Sequence, residues 1–302
     1  MSLLALVLVL ASALLHAGWN LLGKRRTLTA SFFLLANLSG VALLSPLLLT
    51  DAYVVHTWPG SMWGWLLLTG FFQALYCTAL AGAYRAGDLS IAYPLARSAP
   101  ILVVMATSFF LGRGDQLSRW CALGACLIVA GCFLIPMHRF RDLSWKNYLN
   151  RSCLLALLAA VGTAGYSLVD DEALRFLRGV DNWDASVVER TLVFAGWQAI
   201  SSSVWLLLFI LPRSTSRQTM RHVLRLDCAA AITAGVAMYV TYGLVLIAMA
   251  YAKNVSYVVA FRQVSIPIGV GMGVLFLGES LPAPKILGVL VLLVGLVFVA
   301  FG

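Results

Sequence analysis

Ten apolar runs, each close to the length of one membrane crossing, alternate with short polar connections along the chain. They fall at roughly 2–22, 30–50, 61–84, 89–111, 117–136, 150–171, 187–211, 227–250, 255–277 and 284–301. A helix rises about 1.5 Å per residue, so about 20 apolar residues cross a hydrocarbon core about 30 Å thick. Backbone groups in lipid must be satisfied within their own segment, which selects helices over open strands. The first run, MSLLALVLVLASALLHAGWNLLGKRR, has no basic stretch ahead of it and is long enough to span, so it is expected to be a helix of the mature protein rather than a cleaved signal. The longest connections, around 138–151, 172–186 and 213–225, are too short to fold as separate domains.

The second half of the pattern repeats the first. Ala17-Gly18-Trp19-Asn20 in the first segment aligns with Ala164-Gly165-Tyr166-Ser167 in the sixth. LGACLIVAGCFL from Leu123 aligns with LGVLVLLVGLVF from Leu287, which places Gly124 and Gly131 opposite Gly288 and Gly295. Pro100 precedes FFLG, and Pro267 precedes LFLG. Small residues alone only let membrane helices approach closely, but four matches in one order indicate a duplication. Five segments per half is an odd number, so the second half enters from the opposite side. The expected fold is an all-α polytopic membrane protein of ten transmembrane helices, arranged as two inverted-topology repeats. Residues 1–137 form the first repeat, 138–150 a basic loop between repeats, and 151–302 the second repeat.

Composition changes this picture little. Of 302 residues, 61% are hydrophobic and 11% charged, whereas soluble domains carry roughly 25% charged residues. The formal charge of +9 lies in short tracts between apolar runs, which excludes nucleic acid and fits membrane loops. Odd-numbered connections carry thirteen Lys and Arg against five on the other face, with Arg97, Arg190 and Arg262 inside segments. The positive-inside rule then puts both termini outside the cytoplasm of a plasma (inner) membrane. The six cysteines lie in or beside apolar runs without metal-binding spacing and are expected to pack as small hydrophobes. No nucleotide-binding GxxxxGK[ST], HExxH or catalytic constellation occurs, so neither an enzyme nor a cofactor is expected.

HAGWNLLGK after the first apolar run, the paired Pro…FLG segments and LGES before the last helix resemble the EamA-type transporters of the drug/metabolite transporter superfamily. The resemblance implies a ten-helix inverted-repeat fold around a cavity lined by segments 1, 3, 4, 6, 8 and 9. It also implies a substrate among amino acids, sugar phosphates, nucleotide sugars or drugs, and related organic-phosphate exchangers use basic residues on segments 4 and 9. Two features depart from the family pattern. Glu279 follows FLG in the second half where Arg113 follows it in the first, and the loop charges oppose the cytoplasmic termini usual in the superfamily.

Ionisable side chains deep in a bilayer cost about 2.5–3.5 kcal/mol on insertion scales and so face a cavity or a partner. Arg97 and Arg262 lie roughly 13 Å and 10 Å along segments that start on opposite faces, which puts both near the midplane. Their forked guanidiniums suit a carboxylate, phosphate or phosphonate. The alternative is pairing with Asp170 or Glu189. His16, Trp19 and Asn20 share one helix face and are expected to add an anion or proton site, a cavity wall and a hydrogen bond. Tyr76, Tyr93, Tyr166, Tyr242 and Gln263 complete the expected lining. Asp170 opens an acidic trio that either marks a helix exit or receives a proton or an ammonium, and His16 and Glu189 are further coupling candidates. Glu189 and Arg190 can also pair with each other. The expected function is secondary active transport of a small organic anion or zwitterion, as a monomer or weak dimer in the bilayer, driven by protons or exchange. An exporter of lipophilic cations and a non-transporting scaffold are the alternatives.

Overall fold

The computed structural model describes residues 2–23, 28–86, 89–142, 150–180, 183–212 and 214–301, without the side chains of 19–23, 84, 89–95, 142, 215 and 277. In that set the long helices are α1 (Leu3–Gly23), α2 (Ala30–Thr50), α4 (Gly60–Ala86), α5 (Leu89–Ser108) and α6 (Arg119–Leu134), with a short α3 (Ala52–Val55) after α2. They continue as α7 (Arg151–Arg178), α8 (Val187–Ile210), α9 (Ser214–His222), α10 (Cys228–Met249), α11 (Val255–Phe261), α12 (Ser265–Leu277) and α13 (Ala283–Phe301). No strand occurs among the described residues. Seven described stretches are long and apolar enough to cross a membrane. Leu49, Phe110, Leu275 and Phe301 are each 78% exposed or more, an exterior that only lipid solvates. The chain is a multi-pass membrane protein.

Helix starts follow from capping chemistry. Thr29, Ser118, Asn150, Ser186 and Asn254 each accept a hydrogen bond from a backbone N–H in the first turn that follows. Two ends depart from the hydropathy pattern. The fourth apolar run leaves the α-helix at Ser108 and passes through a wider turn, Phe109–Arg113, in which Gly112 has φ of 73°. Only glycine adopts that backbone without strain. The ninth run is split by a tighter turn, Arg262–Val264, between α11 and α12. Pro267 has no N–H to return to the Gln263 carbonyl, and the Ser265 hydroxyl bonds the Arg262 carbonyl at 2.8 Å.

The sixth run corrects an expectation. The acidic trio Asp170-Asp171-Glu172 does not mark a helix exit, because α7 continues to Arg178. Ala173, Leu174 and Leu177 are buried, and Arg175 bonds Asp171 one turn back at 3.0 Å, so the charged stretch has an inward face like the rest of the helix.

Close backbone contact joins α6 to α13 and α4 to α7. A Cβ on Gly124 would stand 2.5 Å from the Gly295 carbonyl, and one on Gly131 2.6 Å from that of Gly288. The reverse distances are 2.7 and 2.8 Å, so the two helices cross antiparallel through four glycines. Gly162 of α7 meets the Phe72 carbonyl and the Tyr76 backbone of α4, each at 2.8 Å. Four of the six cysteines (Cys77, Cys121, Cys132, Cys153) are buried, Cys228 is partly buried and Cys126 is exposed, and all are free. Replacing Gly131 with Leu drives a side chain into the α13 backbone. The expected result is a loss of at least about 1–3 kcal/mol, the usual cost of overpacking, read as a lowered unfolding temperature in detergent. An unchanged temperature would mean that the crossing is loose.

Candidate functional site

The central cavity has two compartments that share His16, Tyr76, Arg97, Tyr166 and Arg262. One extends along Ser12, Gln73, Tyr239, Tyr242 and Val245. The other reaches past Pro100 and Gln263 to Leu28, Phe33 and Leu80, near the start of α2 and the end of α4. Each has about 60 Å³ of water-accessible volume. A water needs about 10–15 Å³ on that measure, so each compartment takes a few waters or one small headgroup.

Arg97 projects from α5 and is half-buried. Its Nη2 donates to Ser265 Oγ at 2.6 Å and its Nη1 to His16 Nε2 at 3.2 Å. Arginine cannot accept, so His16 uses Nε2 as the acceptor and is neutral in this arrangement. The buried Nε of Arg97 has no hydrogen-bond partner among the described residues. Arg262 sits in the tight turn between α11 and α12. Its guanidinium lies 5.6 Å from the centre of the Tyr242 ring, and its buried Nη1 lacks a hydrogen-bond partner among the described residues. Tyr76, Tyr166 and Tyr242 stack edge to face at 6.0 and 5.5 Å and form one wall. A cation above a tyrosine face is attracted by its quadrupole but keeps its donors free. Both guanidiniums therefore retain hydrogen-bonding capacity inside the cavity.

Neither arginine pairs with an acid among the described residues. Asp170 is fully buried and lines neither compartment. It accepts from Thr69 Oγ1 at 2.5 Å, from Gln198 Nε2 at 2.9 and 3.0 Å, and from the Tyr242 hydroxyl. Glu189 stands at the start of α8, where its N–H is capped by Ser186 at 3.1 Å, and does not line the cavity. The expected Glu189–Arg190 pair does not form. Arg190 instead donates to the carbonyls of Leu177, Val180, Trp183 and Ala185, at the end of α7 and in the connection after it, and stacks on Trp183 at 5.4 Å.

Of the sequence-expected lining, His16, Tyr76, Arg97, Tyr166, Tyr242, Arg262 and Gln263 meet around this cavity. The side chains of Trp19, Asn20 and Tyr93 lie outside the described residues. Tyr257, another polar aromatic, is elsewhere and bonds the Gln116 carbonyl at 3.3 Å. Sequence reasoning missed Ser12, Thr69, Gln198 and Ser265. Ser12 lies one turn before His16, and Thr69, Gln73 and Tyr76 recur at helical spacing, which was a readable signal. Gln198 offered only its polarity.

Residues 3–137 match the EamA-like transporter family. A solved structure titled "Crystal structure of protein" aligns over 98% of this chain and 96% of its own with a TM-score of 0.70 at 17% identity, which is a likeness of fold. No curated protein matches. The cavity between the two arginines is the polar space these helices enclose. Arg190, by contrast, holds the backbone at a helix end. Arg190→Ala is expected to cost about 1.5–3 kcal/mol of stability, the scale of a charged hydrogen bond, while ligand stabilisation in a thermal-shift assay stays unchanged. Lost ligand response with intact stability would reassign it to the transport path.

Proposed function

We propose that this protein is a secondary active transporter of a small organic anion in the plasma (inner) membrane, working by alternating access. The observation that carries the reading is the charge of the cavity wall. Arg97 and Arg262 line both compartments, and no acidic side chain lines either among the described residues. An anion gains two forked donors there, whereas a lipophilic cation meets only repulsion. A zwitterion is second best, because Asp170 is spent on three neighbouring side chains behind the wall and offers nothing to an ammonium.

The ten-helix, two-repeat reading fits the same geometry. The glycines aligned by sequence, Gly124 with Gly288 and Gly131 with Gly295, cross-contact as Gly124–Gly295 and Gly131–Gly288. A two-fold axis in the membrane plane relating residues 1–137 to 151–302, joined by 138–150, makes that antiparallel and reciprocal pattern.

Alternating access requires one end to close while the other opens. Side-chain ion pairs and amide contacts join the halves at the end bearing the connections after α5, α7 and α10, whereas at the other end Ser31 bonds the Ser216 carbonyl and Ser152 that of Ala83. Arg113 reaches Asp171 at 3.5 Å and Glu172. Asn254 bonds Gln116 at 3.1 Å, and Ser108 approaches Ser256 at 3.4 Å. The cavity extends the other way, towards Leu28 and Leu80. By the loop charges, that open end faces the cytoplasm and both termini lie outside it.

Arg97→Ala and Arg262→Ala are each expected to weaken binding of phosphonates, phosphate esters or carboxylates by about 10- to 100-fold, the loss of one charged hydrogen-bond set of about 1.5–3 kcal/mol. Thermal shift and uptake into proteoliposomes measure it, and preserved anion affinity in both variants, or stabilisation by organic cations instead, would sink the reading. Removing the closed-end contacts with Arg113→Ala and Asn254→Ala is expected to speed labelling of the cavity cysteine Cys77 by an impermeant maleimide added from that end by about tenfold, the effect of about 1.4 kcal/mol. No acceleration would mean that these contacts do not hold the end shut.

A further inference from the structure

The wall residues leave one ionisable group unused. Asp170 is 0% exposed, within a membrane-spanning helix, with no cation in ion-pair range among the described residues. A carboxylate with such surroundings is expensive, and it is retained only where it is paired or exchanges a proton. Its neighbours come from four helices. Thr69 of α4 and Gln198 of α8 face it, as do Tyr242 and, farther off, Tyr239 of α10, and Tyr166 lies one turn back on α7 itself. None of these carries a charge. The charge that acts on it from a facing element is Arg262, whose guanidinium lies over the Tyr242 ring. Asp171 and Glu172 are engaged by Arg113 and Arg175.

Tyr242 thus joins two groups. Its hydroxyl donates to Asp170 Oδ2, and its ring face carries the Arg262 guanidinium. We infer that Asp170 is a proton-binding site linked through Tyr242 to the anion site at Arg262, making the transporter a proton–anion symporter. The inference rests on the anion reading above and adds the coupling ion to it.

The step balances in protons. Ionised Asp170 accepts from Tyr242, which makes the phenol ring richer in electrons and holds Arg262 over it. A proton delivered as hydronium from solvent binds a carboxylate lone pair and leaves water behind; the new carboxyl O–H donates to the Tyr242 oxygen, whose own O–H turns out of that bond, so the hydrogen bond is reversed. The ring then holds Arg262 less firmly, and the guanidinium is free to engage an anion. Charge favours the same order. With His16 neutral, the buried charges Arg97, Arg262 and Asp170 sum to one positive, and protonation raises this to two. Proton and anion therefore bind more tightly together than apart, and by linkage each raises the other's affinity to the same degree.

The test reads the proton directly. Infrared difference spectra of the purified protein, recorded across the physiological pH range, are expected to show the carbonyl stretch of a buried protonated carboxyl that grows as pH falls. The band should vanish in Asp170→Asn and move in frequency in Asp170→Glu, which keeps the carboxyl should the amide fail to fold. Methylphosphonate, acetate and inorganic phosphate are the anion probes. One that stabilises the wild type in an Arg262-dependent manner is expected to raise the band's midpoint by about one pH unit, a coupling of about tenfold, and Tyr242→Phe should reduce that shift to the part that charge alone supplies. A band that does not titrate, survives in Asp170→Asn, or ignores a bound anion would overturn the inference. A titrating band with no stabilising anion would instead overturn the anion reading and leave the proton site standing.

Discussion

A guanidinium inside a membrane must spend its donors on protein or on cargo, because lipid offers no acceptor. Most of this structure can be arranged around how its arginines meet that demand. Arg190 spends its donors on backbone carbonyls at and just beyond the end of α7. Arg113 and Arg175 spend theirs on Asp171 and Glu172 near the same end. Arg97 and Arg262 alone face the cavity from both compartments, and each keeps a buried nitrogen without a hydrogen-bond partner among the described residues. The first three are accounted for by structure. The last two hold unspent capacity inside the cavity, which is why the functional proposal falls on them and not on the others.

The packing divides along the same line. Where α6 meets α13 and α4 meets α7, glycines bring backbones together with no side chain between them. Such dry contacts have one good arrangement, and a small slide costs close packing along the whole crossing. Around the cavity, the contacts are side-chain hydrogen bonds and ring edges: Arg97 to Ser265, Tyr242 to Asp170, Tyr166 to Tyr242. Those partners can be exchanged for others of similar strength. A transporter that rocks about its centre needs both kinds of interface, rigid pairs that move as units and polar contacts that can be remade.

The helices were legible because lipid imposes a length, and a run of about 20 apolar residues has few other readings. The extension of α7 to Arg178 was not, because Asp170, Asp171 and Glu172 lower the hydropathy of a stretch whose inner face is satisfied by distant helices. The same logic separates the legible site residues from the missed ones. Arginine, histidine and tyrosine in an apolar segment must point inward, so Arg97, Arg262, His16, Tyr76, Tyr166 and Tyr242 announce their direction. A serine or threonine need not, since its hydroxyl can bond its own helix. Thr78 does so to Ala74, Thr191 to Val187 and Ser203 to Ala199. Thr69 and Ser265 look no different in sequence, yet they bond Asp170 and Arg97 across helices.

The break between α11 and α12 ties these strands together. Pro267 removes one backbone donor, and the chain tightens over Arg262–Val264 just where the second arginine leaves the helix. Ser265, in the same turn, holds the first arginine at 2.6 Å and also bonds the Arg262 carbonyl at 2.8 Å. One irregular turn therefore contacts both cationic groups, one through its own side chain and one through a hydroxyl. A change in how either guanidinium is occupied is felt by the backbone at the one place in this helix pair where the regular ladder is already interrupted. The proposed alternating-access mechanism requires that cargo act on a hinge, and it assigns the hinge and the cargo's ligands to the same few residues.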